Sequence, residues 1–321
     1  MHYSKPIMTL LSVHLITYNN EQHIEDTLKS ILKQIVDFNY EIVVGDDCST
    51  DNTLKIINKY AALHPNLFKV HKNAKQQGIL KNFKATLDRC HGTFIFDIAG
   101  DDMLKSDYAL QKMVNVLNND TSLGFVDSGF DSYYDNTKKT IFFKNKSILN
   151  SSKESYKEAL LLGKIAPIGH CYRREYLIKF VDFDTYLSMK ITIEDYPILV
   201  DLSMHTNFET IKESLHIYRV HNESYSHKKC FKNHFFLKNQ MKNLFEYFNK
   251  KYQYNDDIVE TFNTDYNKEL LFLAGYFEEK DVGKNAYKKI KSKNIKDYIH
   301  YFASQNTFFR KLISFLKPKV K

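Results

Sequence analysis

From Leu10 to Ile98, short β-rich apolar runs alternate with segments whose apolar residues recur at helical spacing, and only short polar turns join most of them. Leu10–Ile16 is the first run; Ile24, Leu28, Ile31, Leu32 and Ile35 mark a helix after it, read from Glu21. Tyr40–Val44 precedes a helix carrying Leu54, Ile57 and Ala61, which Ser49 or Asp51 can cap, and Leu67–Val70 precedes one marked by Ile79, Phe83, Leu87 and Cys90. Phe94–Ile98 completes β-α-β-α-β-α-β. Such a series predicts an α/β fold with a mostly parallel sheet and helices on both faces. The C-terminal ends of parallel strands share one edge, so the polar turns at Thr17, Asp46 and Asp101 should gather where open sheets bind their ligands.

The fourth run ends abruptly in Gly100-Asp101-Asp102. Two adjacent carboxylates repel unless a cation or a donor network holds them, which points to a hard divalent ion such as Mg²⁺ or Mn²⁺. The same residues also read as a turn and cap for the periodic segment Leu110, Met113, Val114, Leu117. A strand follows at Gly124–Ser128, then an irregular polar excursion from Tyr133 to Ser152. Later, Glu194 and Asp195 stand directly before a helix with Pro197 in its first turn. Phe208–Ile211 and Leu215–His221 are late strands. Beyond about Ser226 the pattern changes to long helical stretches rich in Lys, Asn and aromatics, so the domain boundary is set between 1–227 and 228–321.

With 43% hydrophobic and 26% charged residues, a 321-residue chain has enough apolar side chains for one large domain or a domain with an appendage. Cys48, Cys90, Cys171 and Cys230 are scattered without C-x-x-C spacing, which argues against a zinc ribbon or a disulfide framework and for reduced thiols in the cytoplasm. No stretch approaches a transmembrane span, and Met1–Thr9 lacks a signal-peptide core. The net charge of +8 is uneven: from Lys284 onward eleven basic residues face the single acid Asp297. That tail favours an anionic surface, and Phe308–Lys321 reads either as an interfacial membrane anchor or as a helix packing its apolar face inward. No recognition motif accompanies the charge, so no nucleic-acid partner is expected.

Five of these stretches, in order, resemble the motifs of the family 2 glycosyltransferases with the GT-A fold. Ser12–Glu21 is similar to the opening motif, Glu41–Thr53 to the second, Gly100-Asp101-Asp102 to the metal-binding motif and Glu194-Asp195 to the catalytic-base motif. Tyr218-Arg219-Val220-His221, with Ser224 and Ser226, resembles the closing motif. The resemblance spans roughly residues 10 to 227. It implies a Rossmann-like GT-A domain with a helical C-terminal appendage. It further implies an inverting, metal-dependent hexosyltransferase that moves a sugar from a nucleotide-diphosphate donor, UDP-sugar favoured, to a hydroxyl of a glycan or lipid-linked acceptor. The setting would be O-antigen or capsule synthesis at the inner face of a bacterial cytoplasmic membrane. Carried over residue by residue, it implies a donor pocket of Thr17, Tyr18, Asn19, Glu21 and Ser49, with Asp46 or Asp47 accepting from the base N–H. Lys81, Asn82, Gly100 and Asp102 would be further donor contacts. Asp101 and His221 would hold Mn²⁺ or Mg²⁺, and Asp195 would be the base, with Glu194 orienting the acceptor.

One departure stands out. The first acid of the family's D-x-D pattern is Ala99 here, and Asp97, on the Ala99 side of the strand by alternation, lies too far upstream to replace it. Asp102 then compensates, donor affinity falls, or the chain is an inactive glycosyltransferase-like scaffold or sugar-nucleotide-binding protein.

Overall fold

The computed structural model describes residues 9–166, 168–221, 230–307 and 309–310. It divides into two compact units: one runs to Leu160 and resumes from Lys164 to His221, and the other combines Leu161–Gly163 with the helices after Cys230. The boundary expected after residue 227 falls in 222–229, outside the described residues. Ser224, Ser226 and, apart from Phe309 and Arg310, the stretch Phe308–Lys321 lie outside them too.

The first unit opens with the expected alternation: β1 (Leu11–Thr17), α1 (Ile24–Leu32), β2 (Tyr40–Asp46), α2 (Thr53–Leu63), β3 (Phe68–Lys72), α3 (Ile79–Leu87) and β4 (Phe94–Ala99). β5 (Met103–Leu104), α4 (Ala109–Asn119), β6 (Leu123–Tyr134), β7 (Lys139–Ile141), α5 (Lys146–Leu149) and α6 (Lys153–Leu161) follow. The unit ends with β8 (Cys171–Arg173), α7 (Arg174–Phe180), α8 (Phe183–Ser188), α9 (Asp195–His205) and β9 (Asn207–Val220). The sheet runs β3-β2-β1-β4-β8-β6-β9-β5, with β7 on β6. It is parallel from β3 to β4 and again between β6 and β9, and antiparallel at β4–β8, β8–β6, β6–β7 and β9–β5, hence mixed overall.

Burial on both faces explains the parallel half. Along β1, Leu11, Val13 and Leu15 on one face and Ser12 and His14 on the other are all shielded from solvent, as in sheets covered by helices on each side. One apolar core joins Leu11, Val13 and Leu15 to Leu28, Ile31, Val44, Phe96, Ile98, Met113 and Leu117. α1 starts three residues later than its periodicity suggests, because the Asn20 carbonyl accepts from both His23 and Ile24 N–H and closes a turn first. The same helix stops at Leu32, leaving Ile35 half exposed rather than on the buried face.

Strand direction decides where the site lies. β4 is antiparallel to β8, β8 to β6, and β6 is parallel to β9, so β4, β6 and β9 point the same way as β1 and β2. Thr17, Asp46, Ala99 and Val220 therefore end at one edge, and α9, which leads into the opposite end of β9, begins near that edge at Asp195.

The second unit contains α10 (Phe231–Tyr252), α11 (Asp256–Phe277), α12 (Lys280–Lys289) and α13 (Ile295–Gln305). Leu270, Leu271, Ala286 and Ile290 form one core, and Phe245 stacks on Phe262 beside Leu162. Asn294 and Asp297 form a reciprocal capping box on α13. No described helix is long and apolar enough to cross a membrane.

Candidate active site

Two loops at the sheet edge lock onto each other. Asn19, at φ 52°, donates its N–H to Ser49 Oγ and accepts from Thr50 N–H through Oδ1. Glu21 Oε2 accepts from the backbone and side chain of Asn52, and the Glu21 N–H donates to Asp51. Asn19, Glu21 and Ser49 thus spend their polar groups joining the turn after β1 to the turn after β2, while the Tyr18 ring stays 40% exposed.

Asp46 and Asp47 are neighbours with different surroundings. Asp47 accepts from Asn73 Nδ2, Gln77 N–H and Gly78 N–H at 2.8 to 2.9 Å, so both its oxygens hold the loop before α3. Asn82 continues that lattice: its Oδ1 accepts from Asn73 and its Nδ2 donates to the Gly45 carbonyl. Asp46 is fully buried, and Oδ2 accepts from Ser49 N–H, but Oδ1 has no hydrogen-bond partner among the described residues. A buried carboxylate oxygen without a donor is costly. Lys81 is exposed on α3 and enters no ion pair among the described residues.

The turn after β4 is tied to the end of β9. Gly100 is a place where a side chain does not fit, since a Cβ would lie 2.4 Å from Thr17 Oγ1. Thr27 Oγ1 donates to the Asp102 carbonyl at 2.7 Å. Asp101 Oδ2 accepts from His221 Nε2 at 2.9 Å, and Asp102 Oδ1 accepts from the Arg219 N–H at 2.9 Å. The buried Arg219 guanidinium reaches the Asp101 carbonyl, Asp135 Oδ1 and Asp26 Oδ2 at 3.0, 3.1 and 2.9 Å. Burial and the charge of Asp101 raise the Asp102 pKa well above the carboxylate range, against the pull of Arg219. Next to His221, 4.5 Å between ring centroids, lies buried His23, whose pKa is lowered by burial and then by His221 and Arg219.

Asp101 and His221 converge with one carboxylate oxygen and one imidazole nitrogen, a mixed set that suits Mn²⁺. No group of three or more His, Cys, Asp or Glu among the described residues could hold an ion. The two residues fit a cation that takes its remaining ligands from a substrate and water, as a substrate-completed site does.

Glu194 and Asp195 sit half-buried at the start of α9. Burial lifts the Asp195 pKa to about 6; the Tyr196 N–H, bonded to its Oδ1 at 2.6 Å, lowers it and nearby Asp97 raises it. Glu194 is also raised well above its ordinary value, by burial first and then by Asp195 and Asp97. Two adjacent carboxyl groups so shielded from water do not readily ionise together, the arrangement that lets one act as base while the other keeps its proton.

Sequence reasoning did not single out His23, Asp26 or Asp135, which lack a motif of their own. Arg219 had a signal, its place in Tyr218-Arg219-Val220-His221, but its role in clamping the β4 turn is visible only in three dimensions.

Among relatives, the poly(ribitol-phosphate) β-N-acetylglucosaminyltransferase TarS of Staphylococcus aureus is 36% identical over 104 residues, 31% of this chain and 18% of that one. The teichuronic acid biosynthesis glycosyltransferase TuaG of Bacillus subtilis, a putative assignment in its own description, is 33% identical over 98 residues, 30% of this chain and 38% of that one. The matched stretch is less than half the length of each curated relative. The structure of TarS 1–349 in complex with UDP-GlcNAc aligns with a TM-score of 0.55 at 16% identity, covering 94% of this chain and 92% of that one. The Pyrobaculum calidifontis mannosyltransferase PcManGT in complex with GDP-Man and Mn²⁺ aligns at 0.58 and 15%, covering 96% and 84%. At such identities the likeness is one of fold, that of the GT-A transferases. The model described as Glycosyl transferase family 2 matches residues 12–180, more than half of the 321, from the first sheet strand through the Gly100–Asp102 turn to the end of α7; the chain belongs to that family.

Proposed function

We propose that this chain is an inverting glycosyltransferase that moves a sugar from a nucleotide-diphosphate donor to a hydroxyl of a glycan or lipid-linked acceptor, in the building of a bacterial surface polysaccharide. The observation that carries the reading is the placing, at one sheet edge, of the Asp101–His221 pair and of a carboxyl, Asp195, whose pKa is raised to about 6. A UDP-sugar is the favoured donor, because TarS was crystallised with UDP-GlcNAc.

Asp46 Oδ1 accepts from the base N–H, the exposed Tyr18 ring covers the base, and Thr17 and Gly100 line the approach. Asn19, Glu21, Ser49, Asp47 and Asn82 act by holding the two loops and the start of α3 in place. Lys81 and Asp102 complete the donor contacts. Asp101 and His221 would hold Mn²⁺ or Mg²⁺, whose charge would offset that developing on a departing diphosphate. Asp195 takes the proton from the acceptor hydroxyl as its oxygen bonds to the anomeric carbon. The bond to the diphosphate oxygen breaks, and its electron pair leaves with the nucleotide. Glu194, beside it and also raised by burial, donates a hydrogen bond that orients the acceptor while it holds a proton. A lipid-linked acceptor would place the enzyme at the cytoplasmic face of the membrane, with the basic C-terminal stretch as the contact.

Ala99 favours a second reading, a sugar-nucleotide-binding scaffold without turnover. Calorimetric titration with UDP, GDP, dTDP and CMP, with and without Mn²⁺, tests the donor site. One nucleotide binds the wild type, Mn²⁺ tightens it, and Asp101→Ala abolishes the Mn²⁺ effect. Binding of none of the four contradicts the proposal.

A further inference from the structure

We propose that Asp97 is a specificity-determining residue that accepts a hydrogen bond from a ring hydroxyl of the donor sugar, in the room left by the small side chain of Ala99. The inference rests on the donor site described above. That site has the diphosphate at Asp101 and His221 and Asp195 as the group that takes the acceptor's proton, and the anomeric carbon must lie between them. The sugar ring attached to that carbon then overlies the end of β4.

β4 presents two kinds of side chain by strict alternation. Phe96 and Ile98 are buried in the core, while Asp97 and Ala99 share the other face and are partly open to solvent. In most strands with such a buried environment a carboxylate would be a liability. Here it is held by design of the neighbouring strand. His14, opposite Asp97 in the β1–β4 register and fully buried, places Nδ1 2.7 Å from Asp97 Oδ1, and its Nε2 lies 3.0 Å from the Phe83 carbonyl oxygen. The ring also packs on Phe83, 4.3 Å between centroids. One oxygen of Asp97 is therefore anchored through an imidazole that cannot move. The other, Oδ2, has no hydrogen bond among the described residues, and the side chain remains 21% exposed.

A structural His–carboxylate pair needs no open oxygen. An anchored carboxylate with one free oxygen at a ligand-binding edge is an acceptor awaiting a donor, and sugar hydroxyls are the donors that this substrate class supplies. The position also agrees with the electrostatics of the site, since Asp97 lies close enough to Glu194 and Asp195 to disfavour their ionisation. A longer side chain at residue 99, on the same face, would stand between Asp97 and a ligand. Alanine there is then a consequence of using Asp97, which takes a role of its own one alternation deeper in the strand.

The test compares the affinity of a nucleoside diphosphate with that of its sugar, by calorimetry in the presence of Mn²⁺. The probes are UDP with UDP-GlcNAc and GDP with GDP-mannose, titrated into wild type, Asp97→Ala and Ala99→Leu. Asp97→Ala weakens the nucleotide sugar by about tenfold or more, the scale of a hydrogen bond to a charged group, and leaves the bare nucleotide within about twofold. Ala99→Leu, which does not touch the His14–Asp97 pair, gives the same pattern, so the outcome stands even where loss of the buried pair unfolds the first variant. If Ala99→Leu weakens the sugar and the bare nucleotide equally, or leaves both unchanged, Asp97 has no such role. A wild type that binds neither form overturns the donor site itself, and Asp97 with it; intact nucleotide binding with an unaltered sugar increment overturns Asp97 alone.

Discussion

Asp195→Asn lowers kcat by about 10²-fold or more, the usual scale for losing a general base, while the folded protein becomes more heat-stable at pH 8. Both effects come from one cause. Burial holds the Asp195 pKa at about 6, against an ordinary value of 3.8. A raised carboxyl pKa means that the folded state binds the proton more tightly than the unfolded chain does. Its penalty is absent below pH 3.8, grows between 3.8 and about 6, and is fully present above that range. The amide carries no charge to bury, so the gain in Tm seen at pH 8 shrinks towards zero as the pH falls to 4. The same titration gives wild-type activity an acid limb near pH 6, because a protonated Asp195 cannot accept the acceptor's proton. Thermal denaturation at both pH values and a pH–rate profile check the two halves of the claim. A variant that loses activity and loses stability at pH 8 would make Asp195 a structural residue of the α9 start.

Arg219→Met destabilises the first unit by roughly 3 kcal/mol, the lower end of the range for removing one partner of a buried ion pair. Of the two carboxylates that the guanidinium meets, Asp26 has a side chain that is 52% exposed and is screened by water, so it contributes little. Asp135, 13% exposed, loses its 3.1 Å partner and keeps only the longer contacts to His23 at 3.7 Å and Lys138 at 3.9 Å. For a unit of this size the loss corresponds to a fall in Tm of roughly 6–12 °C. Function suffers separately. Arg219 Nε donates to the carbonyl of Asp101, so removing the guanidinium loosens the turn that presents Asp101 to His221, although the backbone N–H of residue 219 still meets Asp102. Arg219→Lys keeps the charge but cannot span the Asp101 carbonyl, Asp135 and Asp26 at once. It therefore preserves more stability than methionine yet weakens Mn²⁺-dependent nucleotide binding by about tenfold. Unchanged Tm and nucleotide affinity in both variants would show that the clamp does not matter.

The parallel half of the sheet was legible because β1, β2 and β4 are long enough for their apolar runs to stand out, and because short turns force crossovers. β5 and β8, with two and three residues, are too short to show alternation and owe their existence to neighbouring strands. β9 reads as two strands, Phe208–Ile211 and Leu215–His221, because register shifts against β6 near Gly129 interrupt its period. The polar stretch from Tyr133 to Ser152 looked irregular, yet it holds the end of β6, all of β7 and α5, whose contacts are tertiary.

In the site, adjacency misled where the fold decides. Asp46 and Asp47 looked interchangeable as base contacts; the loop before α3 takes up both oxygens of Asp47, while one buried oxygen of Asp46 has no partner among the described residues. Asn19 and Glu21 sit in a recognisable motif and Asn82 on the helix after Gly78, but their polar groups bind other loops rather than facing outward. The Arg219 clamp joins residues as far apart as Asp26, 193 positions away, which no local pattern records. His14, lost in an apolar strand, shows its purpose only when Asp97 is seen opposite it.

The most direct test of the transferase reading is release of nucleoside diphosphate from UDP-GlcNAc and GDP-mannose without acceptor, measured for wild type, Asp101→Ala and Asp195→Asn, each with and without Mn²⁺. The wild type should release nucleotide from one donor, faster with Mn²⁺, and both variants should fall to near background. A wild type that binds a donor tightly yet releases nucleotide no faster than the two variants would contradict the transferase account and leave the sugar-nucleotide-binding scaffold in its place.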